Sequence, residues 1–243
     1  MVDVDPGAVV PQTSRGGRAS SGWALLAAGA LIASALLQVQ ASLQRWVTAR
    51  EGWTREDRWV EDHLFDYTIP ADPWERIGTT AQVHGLGALL IAVALLVMAR
   101  ALSAGAVFRL TSIVVAAVFG LSGLHGVVSG LIGAPTPLQW PFLQMMLSLV
   151  PILGLGALAA RSARRSLPTA FAYACLLGST TPGLLVATFV IAPAITGFQS
   201  YDTTPWTETV VAATTGAAAC AMLCAAGAFA LRARSRRTRV ATA

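Results

Sequence analysis

The chain alternates long apolar runs with short polar connections that hold most of its charge. Six runs cover residues 23–43, 82–102, 110–132, 141–160, 170–196 and 210–231. Each has about 20 or more residues, which is enough to cross about 30 Å of hydrocarbon at about 1.5 Å per residue. The pattern predicts an all-α integral membrane protein, built as a bundle of six transmembrane helices.

The distribution of charge predicts how these helices are oriented. All 17 basic residues are arginines, and no charged residue lies between Arg109 and Arg161. The segments assigned to the inner side carry 12 Arg and 2 acidic residues, whereas those assigned to the outer side carry 5 Arg and 10 acidic residues. Because arginine is enriched in cytoplasmic loops, we expect a plasma-membrane protein with both termini in the cytoplasm.

The same pattern divides the chain into three parts. Residues 1–21 are polar and have the composition of a disordered cytoplasmic tail. Residues 22–231 form the predicted membrane domain, with an outer loop over residues 44–80, and residues 232–243 form a basic cytoplasmic tail. The net charge of +5 in this setting indicates contact with the headgroups of the lipid bilayer and no nucleic-acid partner.

The outer loop predicts a short amphipathic helix lying on the outer surface. Residues 54–57 (Thr-Arg-Glu-Asp) open like a capping box, and apolar residues then recur at helical spacing up to Tyr67. This helix either covers the bundle or docks a membrane-protein partner. The candidate docking residues are Trp53, Trp59, His63 and Tyr67. The small-residue faces of the third and sixth helices are a second candidate surface for such a partner.

Proline and tryptophan mark three predicted helix starts on the outer side. They lie at Asp72-Pro73-Trp74-Glu75, Trp140-Pro141 and Thr204-Pro205-Trp206. Proline has no N–H to lose at a helix start, and tryptophan favours the boundary between membrane and water.

Two histidines lie inside the predicted spans. His84 and His125 lie at equal offsets from Arg100 and Arg109, so we expect them at similar depths in neighbouring helices. With glycines beside them, they could hold a b-type haem as axial ligands. The alternatives are a different ligand, or structural histidines that hydrogen-bond within the bundle. We predict no metal site.

This region also resembles half of a haem A synthase bundle. The resemblance rests on Val83-His84-Gly85 at the start of one helix and on a glycine-rich helix that ends in Gly133-Ala134-Pro135. That family places a histidine at the outer start of a later helix, where this chain has Phe142-Leu143-Gln144. Because of this departure, and because the chain is short for that family, we do not assign it there.

The fifth apolar run is interrupted by polar residues and a proline. Ser179, Thr180, Thr181 and Pro182 lie near its middle. A proline inside a helix frees a backbone carbonyl, and broken helices at this depth often line binding sites. The interruption is either a polar ligand pocket or a kink.

The motifs of common enzymes are missing from the sequence. No phosphate-binding loop, H-E-x-x-H or G-x-S-x-G occurs, and no charged residue lies in the interior of a predicted span, away from its ends. The sequence therefore favours a multi-pass membrane protein without a recognisable catalytic motif, either an accessory or assembly subunit or a binder of an apolar ligand within the membrane, and it leaves open whether the protein is an enzyme. The alternatives are a haem-binding redox or haem-handling protein using His84 and His125, and a permease for a small neutral solute.

Overall fold

The computed structural model describes residues 15–50, 63–102, 105–199 and 203–241, and within these ranges the chain is all-helical. Among the described residues, five helices are long and apolar enough to cross a membrane, and a bent helix pair would make a sixth span. The α-helices are α1 (Arg15–Trp46), α2 (Thr80–Ala101), α3 (Ala106–Ile132), α4 (Pro141–Ala163), α5 (Leu167–Leu176), α6 (Thr181–Val186), α7 (Ala192–Thr196) and α8 (Thr207–Ala241). A π-helical stretch at Ala187–Ile191 joins α6 to α7.

The helices follow one another around a ring. The main contacts of α1 to α5 are with their neighbours in sequence, and α8 closes the ring by packing against both α1 and α5. Hydrogen bonds join α1 to α8 at both ends. Ser42 Oγ lies 2.8 Å from Thr209 Oγ1, and Ser21 Oγ donates to the carbonyl of Ala226 at 3.0 Å.

The two halves of the bundle differ in polarity. We call the end that carries residues 63–79, 133–140 and 203–206 the loop end, and the opposite end the tail end. The largest cluster of buried apolar side chains fills the tail half, with Ala28, Leu95, Leu158 and Met222 fully buried. Many of the buried polar side chains lie in the loop half. Because a buried polar group needs a hydrogen-bond partner, the loop half is built as a network.

The first and last helices extend beyond the predicted membrane domain. α1 begins at Arg15, ahead of the boundary predicted at residue 22, and α8 continues to Ala241 through the predicted basic tail. Helical hydrogen bonds lie within the backbone, so a helix can continue past the end of its apolar run. The rest of the predicted disordered tail, residues 1–14, lies outside the described residues.

The predicted helix start at residues 72–75 is wrong. The chain is not helical there, and α2 begins at Thr80. Asp72 does not cap a helix because it is engaged elsewhere: its backbone N–H donates to Gln139 Oε1 at 2.7 Å, and its carboxylate accepts from Gln139 Nε2 at 2.9 Å.

The other two predicted starts differ in outcome. α4 does begin at Pro141, with Trp140 as its N-cap residue. α8 begins at Thr207, after Trp206, whose φ of 71° lies in the left-handed region. A helix that starts at Pro205 would require Trp206 to be helical, which this backbone angle excludes.

Only the last part of the predicted surface helix can be compared with the structure, because residues 51–62 lie outside the described residues. The described part holds a 3₁₀ turn at His63–Phe65 and no α-helix between residues 66 and 79. Leu64 and Phe65 are buried in a small cluster with Ile77. This part of the loop therefore packs onto the bundle as irregular chain, and the prediction that the helix reaches Tyr67 is wrong.

Candidate functional site

A cavity of about 100 Å³ lies in the loop half of the bundle, where α1 to α4, α8, the loop before α2 and the residues that follow α5 contribute side chains. The polar lining residues are Gln38, Thr68, His84, Ser122, Gln144, Ser148, Ser179, Thr180 and Thr181. The apolar lining residues are Ile69, Ala88, Ile91, Val118, Phe119, Leu147, Pro151, Leu184 and Val211. On α2 the lining runs from His84 to Ile91, which is about 6 to 16 Å from the helix start.

One wall of the cavity is the broken element between α5 and α7. α5 ends at Leu176, and a 3₁₀ turn follows at Leu177–Ser179. The next helical segment, Thr181–Thr196, is bent by 72° relative to Leu167–Ser179. Thr180 joins the two pieces with an extended backbone, φ −98° and ψ 164°. The interruption predicted at Ser179 to Pro182 is therefore present, and Ser179, Thr180 and Thr181 all line the cavity.

The sharpness of this break follows from a proline and two glycines. Pro182 lies in the first turn of α6, where its missing N–H costs no helical hydrogen bond. A Cβ on Gly183 would collide with the backbone carbonyls of Leu177 and Gly178. A Cβ on Gly178 would collide with the side chain of Thr214 on α8. The bend therefore depends on residues without side chains at both positions.

A hydrogen-bond network joins the broken element to α1 and α8 behind the cavity. Gln38 Nε2 donates to Ser34 Oγ at 2.9 Å and to Thr215 Oγ1 at 3.3 Å. Thr215 Oγ1 in turn lies 3.0 Å from Ser179 Oγ. Sequence reasoning missed Gln38 as a site residue. Its signal is a long polar side chain placed inside an apolar run, where an unpaired amide is costly.

His84 has a free hydrogen-bonding position beside the cavity. Its Nδ1 atom is buried and has no partner among the described residues. Its ring meets that of Tyr67 edge-on, with centroids 5.5 Å apart. Tyr67 is 1% exposed, and burial raises the pKa of its phenol well above the usual value, so it stays protonated. Tyr67 therefore packs as a neutral ring against His84.

Residues 66–70, which we call the strap, cross the cavity at the loop end. Thr68 and Ile69 line the cavity, and the residues on either side of them are fixed. Asp66 Oδ1 accepts from Arg45 Nη1 at 2.6 Å. The carbonyl of Pro70 lies 2.9 Å from His125 Nε2. The strap is thus held by a polar contact at each end and by the buried ring of Tyr67. Its two lining residues lie between Tyr67 and Pro70.

Arg45 belongs to a buried ion cluster that sequence reasoning missed. Its Nη1 atom also contacts Glu208 Oε1 at 2.9 Å, and the Arg45 and Glu208 side chains are 1% and 5% exposed. Trp46 Nε1 donates to Glu208 Oε2 at 2.6 Å. Both charged residues lie just beyond the predicted apolar runs, so hydropathy gave no sign that they are buried.

His125 uses both ring nitrogens inside the protein. A carbonyl only accepts, so the bond to Pro70 requires the proton on Nε2. Nδ1 then accepts from Thr136 Oγ1 at 2.7 Å. Thr136 Oγ1 also accepts from the backbone N–H of Leu138 at 3.3 Å, which agrees with its hydroxyl donating to the ring. His125 is thereby a structural histidine that anchors the strap and does not line the cavity.

The residues around the two histidines do not fit a haem held between α2 and α3. A Cβ on Gly85 would lie 2.5 Å from the carbonyl oxygen of Gly123, and one on Gly123 would lie 2.7 Å from that of Gly85. The glycines therefore allow the two helix backbones to touch and leave no space for a macrocycle. His125 would also have to release one of its hydrogen bonds to ligate iron.

The predicted docking residues are only partly described. Trp53, Trp59 and the side chain of His63 lie outside the described residues. Tyr67 is buried against Ala41 and Ala81, so it is not available to a partner at the surface, and its assignment as a docking residue is wrong.

Comparison with known proteins gives no further guide to this site. No protein-family model, curated protein or solved structure matches the chain. The class that the structure defines is a helical membrane protein with a cavity of mixed polarity at the centre of its loop half.

Proposed function

We propose that the chain crosses the plasma membrane six times and that both termini are cytoplasmic. The broken element supports the sixth span because it is tied to both ends of α8. Arg232 Nη1 donates to the carbonyl of Arg165 ahead of α5, and Thr204 Oγ1 donates to the carbonyl of Thr188 at 2.7 Å near the start of α8. The arginine bias of the tail end supports the orientation.

Within this frame, the protein binds a small neutral molecule inside the membrane. The observation that carries this proposal is the lining of the central cavity: nine polar and nine apolar side chains, with no charged residue. A charged ligand would meet no counter-charge there and would lose its hydration. The unpartnered Nδ1 of His84 and the hydroxyl groups of the broken element supply hydrogen bonds for a polar group on the ligand.

The size of the cavity restricts the ligand further. A cavity of about 150 Å³ holds benzene, so about 100 Å³ accommodates a molecule smaller than that, or one end of a longer molecule. The ligand class is therefore a compact neutral molecule with a polar group and an apolar body, such as a short-chain alcohol or amide.

A cavity-filling variant tests this function. A panel of short alcohols and amides is screened for an increase in thermal stability of the detergent-purified protein, which a ligand of the folded state must produce. Ser122→Phe fills the cavity, whereas Leu121→Phe, at the neighbouring exposed position, is the matched control. We expect at least one compound to stabilise the wild type and the control but not Ser122→Phe.

A second variant covers the case in which Ser122→Phe does not fold. Thr181→Val keeps the shape of a cavity-lining side chain and removes its hydroxyl, so it should weaken binding of the same compound. Equal stabilisation of all variants, or no stabilisation by any compound, would overturn the proposal.

A second candidate function is passage of the same solute across the membrane. The broken element favours it, because helices interrupted within the bilayer line the sites of several transporters. If the protein is a permease, proteoliposomes containing the wild type should take up the stabilising compound faster than proteoliposomes containing Ser122→Phe. Equal uptake rates would leave a binding protein without transport.

A further inference from the structure

A recess of about 630 Å³ lies at the tail end, between the first turn of α3 and the end of α4. One side consists of Gly105, Ala106, Val107 and Phe108, and the other of Ala160, Arg161, Arg164 and Arg165. It lies at the opposite end of the bundle from the central cavity and shares no lining residue with it.

The recess forms because α3 and α4 pack closely at a different level. A Cβ on Gly154 of α4 would collide with the side chain of Val115 on α3, so the two helices touch there. Val115 lies seven residues beyond Phe108, which is about 10 Å along α3. Towards the tail end the space between the helices is not filled, and three long arginine side chains border it.

Among the residues that the structure describes, none compensates the positive charge of the recess. Arg161, Arg164 and Arg165 are exposed, and none has an ion pair within the part of the chain that the structure describes. The described acidic residues are Asp66, Asp72, Glu75 and Glu208, and all of them lie at the loop end. On the other side of the α3 start, Arg100 and Arg109 border a second recess, which adds to the positive potential.

Exposed apolar side chains lie on α3, α4 and α5, the helices at and next to the recess. Val107 and Leu110 on α3, Leu153 on α4 and Leu167 on α5 are each more than 60% exposed. A ligand with a long apolar part can therefore lie against these residues while its charged group sits among the arginines. A freely soluble anion would leave this apolar surface unused.

We propose that this recess binds an anionic phospholipid of the leaflet at the tail end. Its phosphate group accepts hydrogen bonds from the guanidinium groups of Arg161, Arg164 and Arg165, which suit phosphate oxygens in geometry and charge. The first turn of α3 adds to this attraction, because its N-cap residue Gly105 supplies no side-chain cap. One acyl chain lies along the exposed apolar side chains.

A variant pair of equal charge separates this site from a general attraction of the protein to anionic lipid. One variant carries Arg161→Gln, Arg164→Gln and Arg165→Gln in the recess. The control carries Arg234→Gln, Arg236→Gln and Arg237→Gln in the C-terminal segment, which removes the same charge further along the chain. The full-length protein is mixed with phosphatidylglycerol or phosphatidylcholine in detergent, and bound lipid is measured by native mass spectrometry.

We expect phosphatidylglycerol to be retained by the wild type and by the control, with phosphatidylcholine bound more weakly. In the recess variant, its apparent affinity should fall more than tenfold, because each arginine near an anionic surface contributes about fivefold. The single variant Arg164→Gln should show a smaller loss and serves if the triple variant does not fold.

Three results would overturn the proposal. The first is equal retention of phosphatidylglycerol by the recess and control variants, which would indicate charge attraction without a site. The second is equal retention of the two lipids by the wild type. The third is displacement of the lipid by glycerol 3-phosphate at similar concentrations, which would indicate a site for a soluble phosphate compound instead.

Discussion

Arg45 and Glu208, which are 163 positions apart in the sequence, form an ion pair of 2.9 Å inside the loop half of the bundle. Asp66 of the strap completes the cluster from the other side of the guanidinium. Two carboxylates share one guanidinium; Arg45 and Glu208 are shielded from water, whereas Asp66 is partly open to it. The charges are costly to bury, so each depends on its partners, and the cluster joins α1, α8 and the strap.

The two carboxylates of this cluster should differ in their contribution to stability. Glu208→Gln should lower the free energy of unfolding by about 3–5 kcal/mol, because it breaks a buried pair and leaves the guanidinium undercompensated. Asp66→Asn should cost about 0–1 kcal/mol, because that side chain is 38% exposed and a pair open to water contributes little. Unfolding in mixed detergent measures both, and equal losses would contradict the burial difference.

How much could be predicted from the sequence depends on which residues are considered. The apolar runs predicted the membrane helices, and Pro182 predicted the break, because both are local properties of the chain. The burial of Arg45 and Glu208 depends on a pairing across the bundle, and no local pattern reports it. The same holds for Tyr67, which was predicted to lie on a surface helix but belongs to the strap and is buried against α1 and α2.

The break beside Pro182 should depend on Gly183 more than on the proline. Gly183→Ala places a methyl group against the carbonyls of Leu177 and Gly178, so the helix pair must straighten or shift. We expect a cost of about 1–3 kcal/mol, as for overpacking elsewhere, and weaker binding of any cavity ligand. Gly216→Ala is the control, since a Cβ there meets no atom within 4 Å. Similar melting temperatures for the two variants would show that the bend tolerates a side chain.

The contact between Gly85 and Gly123 predicts that His84 and His125 do not bind haem between α2 and α3. Because the two backbones touch there, protein purified after expression with added haem should show no reduced-minus-oxidised spectrum that depends on His84 or His125. Visible spectra of the wild type, His84→Ala and His125→Ala check this. Sharp reduced bands in the wild type that are lost in either variant would contradict it, and would require α2 and α3 to separate from the arrangement described above.

The strap should control access to the central cavity from the loop end. Its two lining residues, Thr68 and Ile69, lie between the Asp66–Arg45 ion pair and the Pro70–His125 hydrogen bond, so loss of both polar contacts should loosen these two residues even if the ring of Tyr67 stays buried. A cysteine introduced by Ser122→Cys, in a background where Cys175, Cys220 and Cys224 are replaced by alanine, reports this access. Its rate of reaction with a small neutral thiol reagent is the measurement.

We expect slow labelling when the strap is intact and at least tenfold faster labelling when Asp66→Asn and His125→Gln are combined. Tenfold corresponds to about 1.4 kcal/mol of opening free energy. The loss of one hydrogen bond and one ion pair can account for a change of this size. Gln139→Ala is the control, because it removes the hydrogen bonds to Asp72 outside the strap. If all three proteins are labelled at one rate, the reagent enters the cavity by another route, and the strap is a fixed part of the wall.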